Sequence, residues 1–152
     1  MKLFISILVP LLVGAIAGLF TASGVDGWYA DANKPWFNPP NRIFAPVWTL
    51  LYIMMGISFF LVWKAPTDKT VKQTAMILFS IQLIINFSWS FIFFKMQQPG
   101  WAFAGIIVMW VMILLTIIWF GKISAKAAWL LVPYICWVSF ASVLNYSIWK
   151  LN

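Results

Sequence analysis

Three tryptophans sit where residue spacing could support chemistry. Trp89 follows Gln82 and Asn86 by seven and three residues, which places two amides and an indole on one helical face. Trp137, Ala141 and Asn145 fall at i, i+4 and i+8, a stripe of a large ring, a small side chain and an amide. Trp48 lies just beyond Ala45 and Pro46. Flat rings beside small residues can wall a slot for a flat apolar ligand, and electron-rich indoles can give up electrons. The chemistry on offer is therefore binding and redox. Ordinary helix–helix packing accounts for the same spacings equally well, and these residues alone do not choose between the two.

The absences narrow the field. The chain has no His and no Glu, and its one cysteine, Cys136, lies in an apolar run. A Cys/His zinc site, a His-ligated haem and a Ser-His-Asp triad are excluded, so neither a metal nor a resident cofactor is expected. The carboxylates Asp26, Asp31 and Asp68 all lie in connectors. Hydrolysis by general acid–base catalysis has nothing to work with.

The elements that must position the tryptophans are membrane helices. The chain is 64% hydrophobic and only 9% charged, too few charges to cover a water-facing surface. Five apolar segments, 3–21, 44–63, 74–94, 101–120 and 129–149, each have about the length that crosses a hydrocarbon core as a helix. Lipid forces the backbone to satisfy itself, which favours helices over open strands. The expectation is an all-α integral membrane protein with one domain, 1–152: a five-transmembrane-helix bundle with a long ordered loop, 23–43, between helices 1 and 2. The first segment reads as a span rather than a signal peptide. Its Gly14 and Gly18 permit close packing, within one chain or between two.

The ten cations are scattered between apolar runs, a pattern of headgroup contact and topology that gives no reason to expect nucleic acid. Lys2, Lys64, Lys69, Lys72, Lys122 and Lys126 fall on the N-terminal side, against Lys34, Arg42, Lys95 and Lys150 on the other. That imbalance favours a cytoplasmic N-terminus. Trp63, Trp119, Trp129 and Trp149 lie at helix ends, where indoles anchor at the membrane interface. The connector KPWFNPPNRIFAPVWTLLY, Lys34 to Tyr52, holds four prolines. Pro35, Pro39 and Pro40 stiffen it, so it can order over a cavity mouth at lower entropy cost.

The blocks WYADANKPWFNPP, FAPVWTLLYIMMG, QLIINFSWSFIFF, PGWAFAG and PYICWVSFASVLNYSIWKLN, in this order and spacing, resemble the translocator protein family. Its members are also called tryptophan-rich sensory proteins (TspO/MBR) or peripheral benzodiazepine receptors. The short N-terminus is similar to that of a bacterial member, which implies a bacterial cell membrane. The resemblance implies five helices around a cavity opening toward the first-loop side. The implied ligands are porphyrins, notably protoporphyrin IX, and synthetic isoquinoline carboxamide and benzodiazepine compounds. It also implies a homodimer and, for some members, light- and oxygen-dependent porphyrin degradation.

Carried over position by position, the resemblance places the pocket wall on Gly18 and Ala22 of the first helix and on Ala45, Val47 and Trp48 of the second. The third gives Asn86 and Trp89, the fourth Trp101, Gly105 and Met109, and the fifth Trp137, Ala141 and Leu144. Leu144-Asn-Tyr146-Ser-Ile-Trp-Lys150 fits the loose cholesterol-recognition pattern of the animal proteins, a weak signal. Where those proteins have a small residue before Trp, this loop has Trp36-Phe37.

A porphyrin needs flat walls, clearance and cations for its two propionates. Lys34 and Arg42 are candidates for the polar rim, Arg42 having the better fork for a carboxylate. Trp48 and Trp137 are candidates for a redox role beside a photoexcited macrocycle. Two other classes stay open: a carrier of tetrapyrroles or sterol-like lipids, and a ligand-responsive sensor or scaffold.

Overall fold

The computed structural model describes residues 1–152, except for the side chains of Ser23, Val25 and Asp26. Five long helical stretches cross the bundle. Helix α1 is Lys2–Asp26, the short α2 is Trp28–Asp31, α3 is Asn41–Lys64 and α4 is Lys69–Ser90. A π-helical turn, Phe91–Lys95, continues α4. Helix α5 is Pro99–Gly121, α6 is Ala125–Leu130 and α7 is Val132–Leu151. No strand occurs among the described residues. Five helices, counting α4 with its π turn and α6 with α7, are long and apolar enough to cross a membrane.

Local chemistry sets the helix ends. The Asp68 carboxylate accepts from the Val71 amide at 3.2 Å and starts α4. Ser124 does the same for α6 through the Ala127 amide, also at 3.2 Å. Pro133 has no N–H to give the Trp129 carbonyl, and the last span breaks at Leu131 into α6 and α7. Pro10 likewise frees the Ser6 carbonyl inside α1. Gly56 of α3 lies against it, where an added Cβ would stand 2.6 Å from the Ser6 oxygen.

Helix α1 packs chiefly on α3, α4 on α5, and α5 on α7, while α6 bridges α3 and α5. Only 17% of the apolar stretch of α1 is buried, against 44% for α4, so α1 is the peripheral helix and α4 a central one. Met55, Ile106, Met109, Ile113, Tyr134 and Val138 form the dry core. Phe4, Leu12, Leu19 and Ile84 face outward, as expected of a surface solvated by lipid.

The first connector is shorter than the 23–43 read from sequence. Helix α1 runs on to Asp26, α2 is helical, and α3 begins at Asn41, which leaves Ala32–Pro40 irregular. The π turn follows from an i→i+5 bond, Met96 N–H to the Phe91 carbonyl at 2.9 Å. It lets the neighbours Phe93 and Phe94 both point inward, at 3% and 7% exposure.

Candidate functional site

The aromatic site is built where α3, α4 and α7 meet beneath the first connector. The Trp48 ring lies 6.3 Å from that of Trp89 and 6.5 Å from that of Trp137, nearly perpendicular to the latter. Phe44, one turn before Trp48, closes on Trp137 at 6.4 Å. Ala141, Leu144 and Asn145 of α7 complete the wall with Phe93, Phe94 and Tyr29. The open space between these rings is small, about 30 Å³. The rings fill their own chamber.

A larger cavity, about 500 Å³, adjoins it between α1 and α3. Gly14, Gly18 and Ala22 supply clearance on one side; Ala45, Trp48 and Tyr52 stand on the other. Thr21, Phe44 and Trp48 line both spaces and form the partition between them.

Beneath the chamber lies a chain of buried polar groups. The Tyr52 hydroxyl donates to Asn86 Oδ1 at 2.7 Å, and Asn86 Nδ2 donates to the Tyr134 oxygen at 2.7 Å. The Tyr134 hydroxyl donates to Gln82 Oε1 at 2.7 Å and lies 3.7 Å from the Met109 sulfur. Trp89 Nε1 donates to Asn145 Oδ1 at 2.9 Å, and Asn145 Nδ2 to the Pro99 carbonyl at 2.8 Å. The indole of Trp137 is the exception. Its Nε1 is buried and has no hydrogen-bond partner.

The connector is tied down by named bonds. Lys34 Nζ donates to the carbonyls of Tyr29, Ala30 and Ala32 at 2.7, 3.3 and 3.1 Å, capping α2. Asn33 and Asn152 exchange bonds: the Asn33 amide reaches Asn152 Oδ1 at 3.0 Å, and Asn152 Nδ2 reaches the Asn33 carbonyl at 2.8 Å. The Tyr29 phenol donates to Asn38 Oδ1. Burial pushes that phenol up to about 12. Trp28 Nε1 caps the Phe94 carbonyl at the π turn, at 3.1 Å.

Gly18, Ala22 and Ala45 line the larger cavity, Trp48 both spaces, and Trp89, Trp137, Ala141 and Leu144 the aromatic chamber. Several other expected wall residues lie elsewhere. Asn86 is fully buried one layer below, committed to the two phenols. Met109 is fully buried in the core, and Val47 packs against it half-buried. Gly105 borders neither space, and Trp101 is 73% exposed on the outside of α5.

At the rim, Lys34 spends its donors on backbone carbonyls, so it is a clasp of the connector and not a free cation. Trp36 is 95% exposed, its ring set edge-on to that of Phe37 at 5.6 Å. Arg42 is exposed at the start of α3, and Pro39 and Pro40 lead into that helix. Phe44, Phe93, Phe94 and Tyr29 are chamber residues that motif reading passed over. The i, i+4 pairing of Phe44 with Trp48 was the available signal for the first of them.

Comparison with known proteins agrees with this architecture. The TspO/MBR family profile matches residues 6–150. The chain is 43% identical to the tryptophan-rich protein TspO of Chlorobaculum tepidum over 93% of this chain and 90% of that one. It is 43% identical to the tryptophan-rich protein TspO of Archaeoglobus fulgidus over 100% of this chain and 97% of that one. It is 39% identical to the translocator protein of Homo sapiens over 82% of this chain and 75% of that one. With five membrane-length helices and a match over nearly its whole length, the chain is an integral membrane protein that belongs to the TspO/MBR family.

Proposed function

We propose that the protein binds a flat tetrapyrrole of the protoporphyrin IX type, and aromatic amides such as isoquinoline carboxamides, in the space formed when its two adjoining cavities join. The supporting observation is the Trp137 indole, a buried N–H without a partner in a wall of aromatic rings. Buried donors are nearly always paired, and one left open in the chamber that adjoins the 500 Å³ cavity invites an acceptor once the two spaces join. Trp48 and Trp89 offer faces for stacking, and Gly18, Ala22 and Ala45 offer clearance. The tight chamber makes binding an opening event. Phe44 and Trp48 turn aside, and the connector follows.

Under light, the bound macrocycle and oxygen supply the oxidising power. In this reading Trp48 and Trp137, with ring centres 6.5 Å apart, are the electron donors. Each indole gives up an electron and recovers it from the macrocycle, which is the species oxidised overall.

Quenching of tryptophan fluorescence by protoporphyrin IX, in the dark and then illuminated, tests both parts. Trp137→Phe should keep tetrapyrrole binding within a few-fold while slowing porphyrin loss in light. Loss at the wild-type rate with binding preserved removes the redox role. No saturable quenching in the wild type removes the binding proposal. A carrier function is the second reading, favoured by the position of the 500 Å³ cavity between peripheral α1 and α3. Porphyrin flux across sealed vesicles separates the two.

A further inference from the structure

A third cavity, about 570 Å³, shares no lining residue with the other two. Its walls are Ile5, Val9 and Val13 of α1 and Leu83, Ile84 and Phe87 of α4, and Phe59 and Trp63 of α3 also line it. Ile5, Val9 and Ile84 are exposed, so this is an outward-facing groove and not a core void. From Ile5 to Val13 it runs about 12 Å along α1. One leaflet of hydrocarbon is about 15 Å deep. The groove has the depth of one acyl chain.

Its outer end is cationic. Lys2 Nζ lies 5.3 Å from the centre of the Trp63 ring, and Lys72 Nζ donates to the Trp63 carbonyl at 2.9 Å. Two ammonium groups thus converge on one lining residue. Lys64 and Lys69 flank them, and the nearby acid, Asp68, is engaged in capping α4. One turn below Lys2, Ser6 lines the groove at 3% exposure, and its hydroxyl has no partner. Cations at the mouth, an unpaired hydroxyl beneath them and an apolar channel beyond follow the order of phosphate, ester and acyl chain.

We propose that this groove is a binding site for one anionic phospholipid, its phosphate between Lys2 and Lys72 and one acyl chain between α1 and α4. A second copy of the chain is the competing occupant. Two-fold packing on this face would bring both lysine clusters together without acids to oppose them. An anionic headgroup removes that repulsion and a protein partner does not.

The test uses the full chain in vesicles of equal phosphatidylglycerol and phosphatidylcholine, extracted gently, with co-purifying lipid counted by mass spectrometry. Phosphatidylglycerol should be retained above its bulk share. Lys2→Gln and Lys72→Gln should each lower the retained ratio about five-fold, and Lys72→Arg should restore it. Val9→Trp fills the groove and should reduce retention of both lipids with the lysines intact, with unchanged thermal unfolding confirming the fold. A retained ratio equal to bulk, or one unmoved by the lysine substitutions, overturns the proposal. So does efficient disulfide linkage of two copies through Ile84→Cys in a Cys136→Ser background, which would assign the groove to a second chain.

Discussion

Gly14 of α1 lies flush against the ring of Tyr52 in α3, so that any Cβ at Gly14 would overlap the ring carbons Cδ2 and Cε2. Gly18, one turn on, faces the cavity with no atom within 4 Å of the same position. The two glycines of one small-residue pattern therefore do different work. Gly14→Leu should displace Tyr52, strain its bond to Asn86 and cost about 1–3 kcal/mol. Gly18→Leu should keep wild-type stability while filling the cavity and weakening ligand binding. Thermal unfolding in detergent compares them, and equal midpoints for the two variants would refute this division.

Asn86 accepts from one phenol and donates to another inside the bundle. Asn86→Leu strands the Tyr52 hydroxyl without an acceptor, at a cost of about 1–3 kcal/mol. Adding Tyr52→Phe removes the stranded donor and should recover part of that loss. A double-mutant cycle measures the coupling; strict additivity of the two changes would mean the bond contributes nothing.

The connector should loosen in steps. Lys34→Met removes the ammonium bonds to the carbonyls of Tyr29, Ala30 and Ala32 at the end of α2, and Pro39→Ala with Pro40→Ala adds backbone freedom before α3. Each should speed porphyrin dissociation and amide exchange in residues 32–40 while the spans stay folded. Wild-type off-rates in well-folded variants would leave the connector with no part in retention.

Tyr29 sets a pH boundary on the same connector. Its phenol is held neutral by burial, with a pKa raised from 10.0 to about 12. A raised pKa favours the protonated fold, so this contribution is complete below about pH 10 and fades as the pH rises toward 12. Connector protection should be flat from neutral pH to about pH 9 and fall above about pH 10, and Tyr29→Phe should remove the step. Loss of protection between pH 7 and 9 that depends on Tyr29 would contradict this assignment.

The five spans were legible because length and hydropathy suffice in lipid: backbone satisfaction leaves helices as the one economical solution. The inward face Gln82–Asn86–Trp89 was legible for the same reason, since amides avoid hydrocarbon, and all three are buried. The π turn was not. Phe91-Ile-Phe-Phe is apolar throughout, so no periodicity marks the change of pitch. Neither was the seat of Lys34, because nothing local says whether an ammonium will meet a ligand or its own backbone. Trp101 looked like Trp89 by composition and differs only in the way its helix is turned, a tertiary fact.

The bonded series Tyr52, Asn86, Tyr134 and Gln82 has a consequence for assembly. Helices adrift in a bilayer are nearly interchangeable, since one greasy cylinder fits another about equally well. This series works as a key cut across three of them: α3 brings a phenol, α4 two amides and α7 a second phenol. An α4 shifted by one residue swings Asn86 about 100° away from both phenols. The polar groups would then search without reward, and the correct neighbours and register would be recognised by the silence of that search ending.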